Sequence, residues 1–156
     1  MKRALTIVGV FVLALAATTA VVAQSSPFDG TWKLNPAKSK LTSGVLPKEE
    51  TVTIQMVGGQ DQVTLNGTAA DGSPISMKFE TPDKGGVGKF LAGPFDSASA
   101  KVINDNTREI TWMKGGKEMV HLHVAVSKDG KTQRNTVKGT NAQGNPVSGV
   151  EVWDKQ

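Results

Sequence analysis

The chain has 156 residues, no cysteine, and 18 Lys and Arg against 14 Asp and Glu, for a net charge of +4. That length suits one ordinary domain, and the lack of a thiol excludes disulfides and thiolate chemistry. A charge so near neutral gives no electrostatic case for nucleic acid as a partner. At the start, Lys2 and Arg3 precede an apolar run from Leu5 to Ala17 and the small-residue stretch from Thr18 to Ala23, the pattern of a cleavable export signal. Val21 and Ala23 fit the positions before the cut, so residues 1–23 are expected to be removed after Ala23, leaving 24–156 as an exported domain, periplasmic or secreted. The apolar run is shorter than the roughly 20 residues needed to cross a bilayer, and no later segment is more apolar, so the mature chain is expected to have no membrane span.

From residue 24 onward the sequence sustains no helical period, whereas apolar and polar residues alternate at period 2, which predicts strands. The stretch Phe28-Asp29-Gly30-Thr31-Trp32-Lys33-Leu34 opens the domain, and the basic segment from Pro36 to Pro47 reads as a solvated connection rather than a polyanion site. Val52, Ile54 and Met56 share one face, then Val63 and Leu65, then Ile75, Met77 and Phe79, with turns at Gly58-Gly59 and Ala70-Asp71-Gly72-Ser73. Three such runs make a meander. Residues 81–99, rich in Gly, Pro and Ser, are expected to be the least regular part, with one short strand near Gly88 to Leu91. Regular strands resume at Lys101-Val102-Ile103 and from Thr107 to Lys114, where Ile110 and Trp112 share a face. Val120, Leu122, Val124 and Val126 form a long apolar stripe; after Asp129-Gly130 comes a polar strand from Lys131 to Thr140, and Val150, Val152 and Trp153 end the chain. The fold expected is all-β: a single antiparallel up-and-down barrel of about eight to ten strands, since closure removes exposed sheet edges.

The Gly30-Thr31-Trp32 motif resembles the G-x-W opening strand of the calycin barrels, the lipocalins and intracellular fatty-acid-binding proteins. Its continuation through Asn35-Pro36-Ala37-Lys38-Ser39-Lys40, with Lys128-Asp129-Gly130-Lys131-Thr132, Lys138-Gly139-Thr140-Asn141-Ala142-Gln143-Gly144 and Val152-Trp153-Asp154-Lys155-Gln156, is similar to small exported bacterial lipocalin-like proteins. That resemblance implies a fold and an address rather than an activity. It makes Gly30 and Trp32 a structural plug at the closed end of the barrel, with Arg134 as the arginine that lipocalins commonly pack beside this tryptophan. Fatty-acid-binding proteins end in an Arg-x-Tyr segment that holds the ligand carboxylate; the matching positions here are Glu151 and Trp153, so an anion replaces a cation and that ligand mode is not carried over.

Few residues carry chemistry of their own. His121 and His123, at i and i+2 on a strand, share a face and are weak metal candidates; no third ligand accompanies them, and the wetter side of the sheet is the simpler place for both. Asp and Glu are scattered without an acid/base pairing, no nucleophile motif occurs, and Gly85 to Phe90 lacks the spacing of a phosphate-binding loop. No enzyme activity and no cofactor are expected. The leading expectation is a binding protein that takes up a small apolar or amphipathic molecule in the barrel beside Met77, Phe79, Trp112 and Trp153. The alternative is an envelope or extracellular interaction module whose barrel is filled. The two differ in whether the interior holds a connected pocket of about 300 Å³ or more.

Overall fold

The computed structural model describes residues 26–156. The expected export signal over 1–23 lies outside the described residues. Twelve strands form one sheet: β1 (Gly30–Leu34), β2 (Lys40–Ser43), β3 (Glu49–Val57), β4 (Gln60–Thr68), β5 (Pro74–Pro82), β6 (Gly86–Val87), β7 (Lys89–Ala92), β8 (Ser97–Asn104), β9 (Thr107–Lys114), β10 (Lys117–Val126), β11 (Thr132–Thr140) and β12 (Pro146–Lys155). Their order is β6-β8-β9-β10-β11-β12-β1-β3-β4-β5-β7, with β2 added beside β12. Apart from the step that brings β12 beside β1, six of the nine neighbour pairs in the wall are consecutive in sequence, and β6–β8, β1–β3 and β5–β7 each skip one short strand, as in an up-and-down barrel.

β1 joins the two halves, pairing Trp32 with Lys155 of β12 on one side and with Val52 of β3 on the other. The ladder is interrupted where β7 runs beside β8, and again where β2 lies beside β12 without a ladder to β3. At the β7/β8 seam the strands still touch. There the Gly88 N–H donates to Ala98 O at 2.7 Å and the Phe90 N–H to Asp96 O at 3.3 Å, so the wall is nearly closed. Four aromatic rings pack behind that seam: Phe90 lies 5.0 Å from Phe79, 5.4 Å from Phe95 and 5.9 Å from Trp112, centroid to centroid. Offset and edge contacts of this kind stabilise beyond the area they bury, and here they back a seam that has few backbone bonds.

Side-chain alternation decides which face turns inward. Val52 and Ile54, Val63 and Leu65, Val120, Leu122, Val124 and Val126 are all buried in one core, while their sequence neighbours face outward or are only partly covered. The two-residue hairpin turns at Gly58-Gly59 and Gly115-Gly116 have positive φ at both positions, the geometry that a right-twisted hairpin needs and that glycine adopts without strain.

Two expectations are corrected. The segment from Pro36 to Pro47 is structured: a 3-10 turn over Pro36–Lys38, capped by Asn35, leads into β2, which pairs Lys40 with Val150 and Leu41 with Gly149. The Val152 N–H donates to Ser39 Oγ at 2.9 Å, and the Ser39 hydroxyl donates to Asn35 O at 2.7 Å, holding the turn against β12. Proline and lysine suggested a solvated loop, but β12 outlasts β1 and offers an open edge that β2 covers. Residues 81–99, expected to be the least regular, contain β6, β7 and the start of β8, and they supply Phe90 and Phe95 to the aromatic cluster. A register shift between Lys78 and Phe79 on β5 and the short length of these strands break the alternation that would have exposed them in sequence.

The approach of β2 depends on Gly149, whose φ is +139° and where a Cβ would lie 2.5 Å from both Leu41 Cα and Lys40 O. Gly149→Ala is expected to lower stability by about 1–3 kcal/mol, since a side chain is strained at this φ and meets backbone that cannot yield. Hydrogen exchange should show protection lost first over residues 40–43; unchanged protection there would contradict the close approach.

Candidate functional site

The interior is not filled. A cavity of about 460 Å³ runs along the barrel axis, lined on most sides by the inward apolar positions of β3, β4, β5, β9 and β10. Its mouth lies among Pro47, Ala69, Ser73, Pro94, Phe95 and the Asn141–Gln143 turn, which connect strands at one end of the barrel. The other end is closed. Phe28 is 2 % exposed and Trp32 is fully buried, and the Trp32 indole N–H donates to Phe28 O at 2.8 Å, so the two rings form a hydrogen-bonded floor. Gly30 sits outside this plug with φ at +125°, where the Lys155 chain passes to place its ammonium 5.0 Å from the centre of the Trp32 ring.

Arg134 does not join the plug. On β11 the inward residues are Gln133, Asn135 and Val137, so the intervening Arg134 is exposed on the outer face opposite Val152. The buried arginine is Arg108, near the start of β9 and in phase with Ile110 and Trp112. Its guanidinium lies 4.3 Å from the centre of the Phe28 ring and forms an ion pair with Asp61 of β4 inside the barrel. Burial holds the Arg108 pKa below its ordinary value, against an opposing pull from nearby Asp29.

Met77, Phe79, Trp112 and Trp153 come from three different regions of the sequence, and all four line the one cavity. Phe79 and Trp112 meet edge to face at 5.9 Å, while Trp153 is 2 % exposed on the opposite wall. His121 and His123 are exposed on the outer face of β10, with Leu122 turned inward between them. Among the described residues, no three His, Cys, Asp or Glu side chains gather where they could hold a metal ion.

Of the polar part of the wall the sequence reading notes only Glu151, through the resemblance to fatty-acid-binding proteins. Glu50, Asp61, Thr81, Arg108, Gln133, Asn135 and Glu151 all line the cavity. Glu50 is 7 % exposed and its pKa is pushed up to about 8, first by burial and then by the charge of Glu151. Glu151 is pushed up to about 7 by burial, and the approaching indole N–H of Trp153 offsets part of that shift without completing a hydrogen bond. Asn135 stands directly opposite Glu151 in the β11–β12 ladder and accepts from Gln133 Nε2 at 3.1 Å, which leaves Gln133 Oε1 without a partner. A signal for these residues did exist: Glu50 is in phase with Val52 and Ile54, Asp61 with Val63 and Leu65, and Gln133 and Asn135 with Val137. Extending each apolar stripe by one step, or by two from Val137 to Gln133, would have turned these polar side chains inward.

No family model and no curated protein matches the chain. Among solved structures it is similar to a zebrafish ileal bile acid-binding protein complexed with cholic acid, at 14% sequence identity and a TM-score of 0.47, over 84% of this chain and 100% of that one.

Proposed function

We propose that this protein is a binding protein that takes a small amphipathic molecule into its barrel, with Met77, Phe79, Trp112 and Trp153 against the apolar body of the ligand. The observation that carries this is the cavity: about 460 Å³, reached from one end and apolar over most of its wall. That volume falls within the roughly 300–1,000 Å³ of small-molecule sites. A filled barrel acting only through its loops would have no such space. The export signal read from residues 1–23 supports a role outside the cytoplasm, periplasmic or secreted, and N-terminal sequencing of the mature protein should begin after Ala23.

Native mass spectrometry of the protein purified from its own host is expected to show a fixed mass excess that denaturation removes. In the emptied protein the neutral dye Nile red should bind at one per chain and quench Trp112 and Trp153. Leu122→Trp, which adds bulk at an inward wall position, is expected to weaken dye binding at least tenfold while the far-ultraviolet spectrum stays that of a sheet protein. No retained mass and no dye binding by the folded chain would overturn the proposal.

A further inference from the structure

The charged groups of the cavity are mostly acidic: Glu50, Asp61 and Glu151 against Arg108. Arg108 is the only cation among its lining residues, and it is already paired with Asp61. Glu50 and Glu151 have no ion-pair partner among the described residues, whose salt bridges engage Asp154, Glu80, Glu109 and Asp61 instead.

The fold explains why these two carboxyls meet. β1 leaves the wall after Leu34, which is paired with Trp153 of β12, and the preceding Lys33 is paired with Thr51 of β3. Glu151 and Glu50 are the next inward positions beyond those pairs, one on each strand flanking the end of β1. Beyond that point β2 takes the place of β1 beside β12 but has no ladder to β3, so the wall is unbonded next to these two side chains. An independent feature points the same way. Gln133 is 3 % exposed, lines the cavity beside Trp153, and holds Oε1 without any donor. This stretch of wall thus holds three acceptors, two carboxyl groups and a free amide oxygen, while the free donors of the cavity are the indole N–H groups of Trp112 and Trp153 and the Arg108 Nε–H.

Resting on the binding function proposed above, we infer that the occupant is an organic amine, its apolar body against the aromatic wall and its protonated nitrogen held between Glu50 and Glu151. A cation supplies the charge that neither carboxylate finds in the protein, and its N–H groups can donate to both carboxyl groups. An anionic lipid would meet like charge at the same place, while a neutral alcohol would gain the apolar contacts alone. The raised pKa values of Glu50 and Glu151 are those of carboxyls still awaiting a counter-charge.

Three ligands with one chain length test this: decylamine, decanol and decanoate, each displacing Nile red at pH 7.5. Decylamine is expected to displace the dye at a concentration at least tenfold lower than decanol, and decanoate at a higher one. In the double variant Glu50→Gln, Glu151→Gln the preference for the amine should vanish while decanol displaces as before, which also shows that the variant is folded. Equal displacement by amine and alcohol, tighter binding of decanoate, or an amine preference that survives in the double variant would overturn the inference and leave the binding function standing. Failure of the wild-type chain to bind the dye and all three ligands would remove both.

Discussion

Replacing Arg108 by Met is expected to lower the unfolding free energy by about 3–5 kcal/mol, and adding Asp61→Leu to that variant is expected to recover most of the loss. Asp61 is 1 % exposed and Arg108 is 9 % exposed. With Arg108 gone, the Asp61 carboxylate is left in the barrel floor without a counter-charge. Taking two charges from water costs about as much as their attraction returns, so the pair adds little net stability while either half alone is costly. Methionine and leucine in both places leave an apolar floor beneath Phe28, and Asp29 keeps its bond from the Ser26 N–H at 3.0 Å. Urea denaturation of the wild type, both single variants and the double variant measures the coupling. Additive losses would show that Arg108 acts through its packing on Phe28 and not through Asp61.

Glu50→Gln is expected to raise the melting temperature at pH 8–9 and to flatten its dependence on pH. The folded pKa of Glu50 is about 8 against 4.5 in the unfolded chain, so between these values the folded state holds a proton that the unfolded state has released. Stability therefore falls as pH rises through this window, and the loss is complete above the folded value. Glu151, raised to about 7, acts in the same direction. Each pKa unit corresponds to about 1.36 kcal/mol, which puts the ionised Glu50 at a penalty of several kcal/mol that glutamine removes. The exposed carboxylates Asp71, Asp129 and Asp154 are shifted the other way by their hydrogen bonds, and they stabilise the fold above their unfolded pKa, with that help lost only in acid. The wild type should then be most stable near pH 5. Parallel melting curves for wild type and Glu50→Gln from pH 5 to 9 would show that Glu50 is not held in a dry site. A bound amine should reverse the trend, since it stabilises the ionised form.

The two large effects involve residues that were in plain view in the sequence yet assigned no role there. Period 2 picked out the strands around Val52, Val63, Met77, Ile110 and Leu122 and put the right side chains on the inner face, because alternation is a property of one strand and is written locally. The plug role of Trp32 was implied by the resemblance of its opening motif and not by alternation; in the structure its side chain is fully buried. Arg134 went wrong because its place was taken from a resemblance and not from the parity of its own strand, where Gln133 and Asn135 turn inward.

Alternation by itself determined that the chain is a sheet protein and identified much of its core, from Val52 and Ile54 through Val63 and Leu65 to the stripe of Val120, Leu122, Val124 and Val126. Tertiary structure alone decided that Asp61 and Arg108, 47 positions apart by their numbers, become an ion pair, that β2 covers the edge left by β1, and that Glu50 and Glu151 face one space. The reason is the range of the interactions. A strand and its faces follow from neighbours in sequence, and so does the stop of β1 at Leu34, before the turn that Asn35 caps; the meeting of two buried charges depends on which strands the closed wall sets side by side.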